Sequence, residues 1–122
     1  MILVDTSVWI DHFRAADSAL NTALEHDEVG THPFVIEELA LGSIAQRDTV
    51  LDLLGDLRSF PVLRHGEALL LVDRRRLWGR GLSPTDAHLI GAVALVPGAR
   101  LWTRDKRLAS ACADLHVSVI TD

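Results

Sequence analysis

Apolar residues along this chain come in short bursts, and the spacing within each burst separates strands from helices. Ile2, Leu3 and Val4 are consecutive and mostly β-branched, which predicts a short strand buried on both faces, and the run stops at Asp5-Thr6-Ser7. Val8, Trp9, Ile10 and Phe13 follow at helical spacing, so a helix is expected over Ser7 to Phe13 with Ser7 as its N-cap. A second short helix is expected from Ser18 to about His26, and then a turn at Asp27-Glu28 leading into a very short strand at Val29-Gly30-Thr31. Pro33 suits the first turn of the next helix, which runs to about Leu41 and ends near Gly42. At about 100° per residue, Phe34, Val35, Leu39 and Leu41 share one broad face with Glu38 in its middle, while Glu37 lies to the side.

The second half continues the alternation. Asp48 to Leu57 is spaced as a helix, and Phe60-Pro61-Val62-Leu63 reads as an edge strand because its proline removes a ladder donor. Glu67 to Trp78 predicts a helix with Leu69, Leu70, Leu71 and Val72 inward and Arg74-Arg75-Arg76 at its exposed end. Ser83-Pro84-Thr85-Asp86 matches a capping box, and the helix it opens carries Leu89, Ile90, Val93 and Val96 on a face that passes close to Asp86. His88 points away, which predicts a surface histidine. Arg100 to Thr103 is a strand, residues 104–108 break into a helix reaching Ala113, and Val117 to Ile120 is the last strand. Such alternation over residues 1–122 predicts a single α/β domain around a mainly parallel sheet.

Composition narrows the class. The length suffices for a core without disulfides, and a single cysteine, Cys112, excludes an intrachain disulfide and a cysteine-clustered zinc site. No apolar run is long enough to cross a bilayer and the chain opens directly on a strand, so a soluble cytoplasmic protein with no membrane partner is expected. The net charge of −5 hides an asymmetry: residues 1–56 hold eleven acids against two arginines, and residues 57–122 hold six acids against ten basic residues. A uniformly basic nucleic-acid binder is thereby excluded. A basic C-terminal half remains able to meet phosphates while acids gather cations.

Four acids stand out by position. Asp5 and Asp105 lie just past strand ends, Asp86 opens a helix, and Glu38 sits on an inward helix face. Each has an ordinary structural explanation: helix-end acids for Asp86 and Asp105, an arginine partner for Glu38. In a parallel sheet, however, the strand ends gather at one edge, where ligands collect. Carboxylates held close together raise one another's pKa unless a cation sits among them, and hard oxygen ligands without Cys or clustered His favour Mg²⁺ or Mn²⁺ over Zn²⁺. Such an ion suits phosphodiester chemistry.

Order and spacing are more specific than any one acid. On Met1 to Ile10, His32 to Gly42, Leu82 to Leu89 and Leu101 to Leu108, the chain resembles the PIN-domain nucleases, and more narrowly the VapC-type toxins of toxin–antitoxin pairs. The resemblance covers nearly the whole chain and implies a PIN-like three-layer α/β/α sandwich. It further implies a metal-dependent endoribonuclease that cleaves RNA through a water activated by Mg²⁺ or Mn²⁺ in an acidic quartet, inhibited by a cognate antitoxin, and paired as a homodimer. By matching positions the quartet is Asp5, Glu38, Asp86 and Asp105, with Asp5 and Asp86 as direct metal ligands. Thr6 and Thr103 are the supporting hydroxyls, and Arg104, Lys106 and Arg107 are candidates for RNA contact. Glu37 stands where the family pattern usually has a small residue.

Two other readings compete. A phosphorelay receiver domain would use Asp52, Thr85 and Lys106, but Thr85 falls inside a helix cap and residues 48–57 are spaced as a helix. A catalytically silent PIN module would keep the fold without the chemistry, and an intact quartet argues against it.

Overall fold

A computed structural model describes residues 1–122. Its central strand is β1 (Ile2–Val4), flanked by β2 (Val29–Thr31) and β4 (Arg100–Trp102), with β3 (Arg58–Ser59) and β5 (Val119–Ile120) at the edges. Every pairing is parallel, and register places Val4 beside Trp102 and Leu3 beside Gly30. Each of the three β1 residues is buried, as a strand covered on both faces must be. The chain is a member of the three-layer α/β/α class, with helices α1 (Thr6–Arg14), α2 (Ser18–Glu25), α3 (Pro33–Ala40), α4 (Arg47–Gly55), α5 (His65–Arg75), α6 (Pro84–Leu95) and α7 (Lys106–Asp114). No helix is long and apolar enough to cross a membrane.

The strand order β3-β2-β1-β4-β5 decides where a site can form. From β1 the chain builds outward to β2 and β3, then returns to add β4 and β5 on the opposite side. The loops leaving β1 and β4 therefore diverge, which opens a crevice at the C-terminal ends of these two strands. Close packing elsewhere depends on one absent side chain. A Cβ on Gly30 would stand 2.5 Å from the Phe60 ring, so glycine in β2 is what lets that ring close over the sheet.

Several local expectations shift. The β3 strand is Arg58–Ser59 rather than the segment from Phe60 to Leu63, because the Phe60 N–H makes the last ladder bond, to the Thr31 carbonyl, and Pro61 has no N–H to extend it. Helix α5 turns Leu69 and Leu70 outward, 53% and 49% exposed, and buries only Ala68 fully. A run of four apolar residues spans more than one helical face, so the core takes Leu71 and Val72 only in part. Leu41 is 89% exposed because it is the C-cap of α3, beyond the turn that packs. Val35 and Leu39 fill the inward face.

Candidate active site

Asp5 is the first residue beyond β1, and its N–H still donates to the Trp102 carbonyl of β4 at 2.9 Å. It occupies the N-cap position of α1 with extended backbone angles, yet its carboxylate caps nothing. An N-cap aspartate ordinarily accepts a helix N–H. Here Oδ2 accepts instead from Ser7 Oγ and from Thr103 Oγ1, each at 2.8 Å. Ser7 Oγ in turn accepts the Arg104 N–H at 3.1 Å, and Thr103 Oγ1 accepts the Asp105 N–H at 3.0 Å. The expectation that Ser7 is the N-cap is corrected: the Asp5 carbonyl receives the Val8 and Trp9 N–H groups, so the helix begins at Thr6 and leaves the Ser7 hydroxyl free to fix Asp5.

The other three acids arrive from three different elements. Glu38 comes from α3, and its Oε1 accepts from Thr6 Oγ1 at 2.8 Å. It is exposed at the rim of the buried face rather than at its middle. Asp86 is half-buried at the start of α6, where Oδ2 accepts the Ser83 N–H at 2.9 Å and Ser83 Oγ accepts the Asp86 N–H at 3.1 Å, completing the capping box. Asp105 is the N-cap of α7 and accepts the Arg107 and Leu108 N–H groups through Oδ1 at 2.9 and 3.2 Å.

All four carboxylates share one pattern: a single oxygen is pinned by the protein, and the second takes no hydrogen bond. None of them forms an ion pair. Partial desolvation of its carboxyl at the rim raises Glu38 above its usual range, the Thr6 hydrogen bond opposes this, and the negative charges of Asp5 and Asp86 add to the rise. Asp86 is raised first by burial and further by Asp5 and Asp105, against the Ser83 hydrogen bonds. The crevice thus holds mutually repelling carboxylates with no protein cation paired to relieve them.

This donor set suits a hard divalent cation. The free oxygens are all carboxylate, the ligand type that selects Mg²⁺ or Mn²⁺. Cys112 is fully buried, and burial together with Asp86 and Asp5 pushes its thiol up to about 11, so it offers no thiolate. The carboxylates do not form a closed cage, since no three His, Cys, Asp or Glu groups already meet in ligand geometry.

The basic candidates are placed differently from one another. Arg104 donates to Asp11 at 2.8 Å, Asp17 at 2.7 Å and Asp122 at 3.3 Å, which raises its pKa and leaves its guanidinium engaged. The Arg107 side chain lies against Gly81, whose φ of +76° and missing Cβ make room for it. Lys106 is exposed and makes no ion pair.

His88 is not the surface residue its spacing implied: its ring packs 4.5 Å from Phe34 and its Nδ1 is buried. His32 is fully buried and caps α3 by accepting the Phe34 N–H at 3.0 Å, and burial followed by His88 pushes it down to about 4. Ser7 and the Arg104 N–H are the parts of the site that spacing did not single out for Asp5. A serine two residues after an aspartate was the available signal, as a local side-chain partner.

Comparison with known proteins identifies the family. The model of the PIN domain matches residues 2–114. Over 119 residues the chain is 68% identical to Ribonuclease VapC32 from each of two Mycobacterium tuberculosis strains, covering 98% of this chain and 96% of the relative.

Proposed function

This chain belongs to the PIN-domain family, among its VapC-type ribonucleases, and from that premise we propose that it is a metal-dependent endoribonuclease toxin whose site is the quartet Asp5, Glu38, Asp86 and Asp105. The observation that carries the reading is the free oxygen on each pinned carboxylate, in a crevice without a paired protein cation. Asp5 and Asp86 would hold Mg²⁺ or Mn²⁺, with Glu38 and Asp105 completing the set. When bound, the cation supplies charge neutralisation for a phosphodiester and lowers the pKa of a water.

The chain's own groups do the rest. Thr103 and Ser7 keep Asp5 turned from its helix, and Thr6 holds Glu38 toward the same crevice. The raised pKa values of Glu38 and Asp86 belong to the metal-free protein, and a bound cation would draw both down by relieving their repulsion. Lys106 and Arg107 are the basic candidates left to meet an RNA phosphate, since both are exposed and neither has an ion-pair partner. The receiver reading loses its support: Asp52 lies within α4 and Thr85 within the first turn of α6, neither at a strand end.

A cognate antitoxin that brings a cationic side chain to the quartet would satisfy the same unpaired charge, because a guanidinium can bridge carboxylates bidentately. Self-association into a homodimer is supported by the apolar surface of α5, where Leu69 and Leu70 stand exposed, and by Trp78 just beyond it at 61% exposed. The deciding experiment is RNA cleavage by antitoxin-free protein with Mg²⁺ or Mn²⁺ beside Asp5→Asn and Asp86→Asn. Cleavage only by the wild type, abolished by chelation, is expected; equal cleavage by all three would end the proposal. Light scattering at micromolar concentration checks the dimer, and a monomeric mass would remove it.

A further inference from the structure

Arg104 stands between the two residues that tie β4 to the candidate site. Thr103 donates its hydroxyl to Asp5, Asp105 caps α7 beside it, and the Arg104 N–H donates to the Ser7 hydroxyl that also donates to Asp5. Its side chain runs the other way. The guanidinium spreads over Asp11 from α1, Asp17 at the N-cap of α2, and Asp122 just past β5. Asp17 is itself pinned, because its other oxygen accepts the Leu20 N–H at 3.0 Å and its own N–H donates to His12 Nδ1 at 2.9 Å. Asp122 likewise accepts from Trp102 Nε1 at 2.8 Å. One side chain therefore joins three separate elements, and the backbone it anchors reaches Asp5 Oδ2 through the Ser7 hydroxyl.

Resting on the reading of Asp5 as a metal ligand, we propose that Arg104 is a positioning residue of the metal site: its guanidinium, clamped by Asp11, Asp17 and Asp122, holds the 103–105 turn so that Ser7 and Thr103 present the free Oδ1 of Asp5 to the cation. Arg104 is then not a phosphate contact. A planar fork with several donors is the group that such a three-way clamp requires, and a lysine cannot reproduce it. Hydrogen bonds in series also strengthen one another, so losing the outer anchor weakens the inner pair onto Asp5.

The test is a Mn²⁺ titration followed by electron paramagnetic resonance on RNA-free protein, with kcat and KM for RNA measured in parallel at saturating Mn²⁺. The variants are Arg104→Gln, Arg104→Lys and the double variant Asp11→Asn/Asp17→Asn, in which the side-chain amide introduced at position 17 retains a capping oxygen. Arg104→Gln is expected to weaken Mn²⁺ binding about tenfold, the low end of what loss of a partner behind a metal ligand costs, with KM unchanged. Arg104→Lys should recover part of that loss, and the double variant should lose several-fold although neither residue touches the quartet.

Unchanged Mn²⁺ affinity in Arg104→Gln overturns the proposal, whether the variant is merely less heat-stable or instead shows a raised KM with a shallower salt dependence, the mark of a lost phosphate contact. Should Arg104→Gln fail to fold, the lysine and double variants decide on the same criterion. A wild type that cleaves RNA but binds no Mn²⁺, or does neither, removes the metal reading and this proposal with it. A wild type that binds normally beside variants that also do removes the positioning role alone.

Discussion

Two groups of acids line the same end of this molecule, and they are opposites. Asp11, Asp17 and Asp122 surround one guanidinium, whereas Asp5, Glu38, Asp86 and Asp105 surround none. The Leu20 N–H and then Arg104 hold Asp17 below its usual range, and the Trp102 indole followed by Arg104 does the same for Asp122. Glu38 and Asp86 move upward, by desolvation first and mutual repulsion after. The chain thus satisfies one acidic cluster internally and leaves its neighbour unsatisfied, although the backbone of Arg104 itself runs between Thr103 and Asp105 of the second cluster. The protein has twelve basic residues and turns none of them into an ion pair with these four acids, so their mutual repulsion has no internal partner.

The most severe way to break that contrast is to remove the charge of a proposed ligand in the unpaired group. Asp5→Asn keeps the shape of the side chain but removes its charge, and RNA cleavage should fall by about 100-fold or more, beyond the loss expected for a supporting residue. Calorimetric Mn²⁺ titration should weaken in parallel, while thermal stability without metal should hold or rise as repulsion is relieved. Retained Mn²⁺ affinity would place the cation elsewhere.

Thr103→Val comes next. Its hydroxyl is fully buried, donates to Asp5 and accepts the Asp105 N–H, so the isosteric change strips two partners at once. Urea denaturation should show a loss of about 1–3 kcal/mol, the usual cost of leaving a buried group unsatisfied. A loss well under this range would mean that water replaces the hydroxyl and that Asp5 is less firmly held than its geometry implies.

How much of this could be read beforehand differs between the two clusters. The unpaired acids were legible because each of three stands at an element boundary: Asp5 and Asp105 past apolar runs, Asp86 three residues after a capping serine. Such positions depend on local pattern, and local pattern also located the parallel α/β alternation. The clamp was not legible, since Asp11, Asp17 and Asp122 meet Arg104 across separations that only the strand order creates. Helical spacing likewise placed Glu38 on the correct helix but in the middle of a buried face, because a wheel does not say where the neighbouring helix ends. The expectation that Leu69 and Leu70 face inward failed for the same reason: a four-residue apolar run on α5 exceeds the width of what packs against it.

The two clusters should also titrate in opposite senses. Glu38 and Asp86 have folded pKa values above their unfolded ones, so their contribution favours folding at low pH and is lost as pH rises from the ordinary carboxylate range through the raised values. Asp17 and Asp122 have lowered values; their contribution is present above the ordinary range and is lost as pH falls through the folded values. Asp86→Asn should therefore stabilise the metal-free protein near neutral pH, and the gain should shrink as pH falls into the ordinary carboxylate range. Carboxyl ¹³C titration by NMR should show the raised pair falling when Mg²⁺ is added and the lowered pair unmoved. If Mg²⁺ shifts Asp17 or Asp122 as much as Asp86, the clusters are not electrostatically separate.

The smallest effect belongs to the outermost member of the clamp. Asp11 is half-exposed and meets Arg104 through one oxygen at 2.8 Å, so Asp11→Asn should cost no more than about 1 kcal/mol in urea denaturation, the range of surface ion pairs, and less in high salt. Asp17 and Asp122 continue to hold the guanidinium, and for that reason the single change should leave RNA cleavage nearly intact where Asp5→Asn removes most of it. Asp5 at the cap of α1 and Asp11 within it would then differ in consequence because one is left for a metal and the other is answered by an arginine. Loss of cleavage in Asp11→Asn without a matching loss of Mn²⁺ affinity would erase that distinction and bring Asp11 into the site itself.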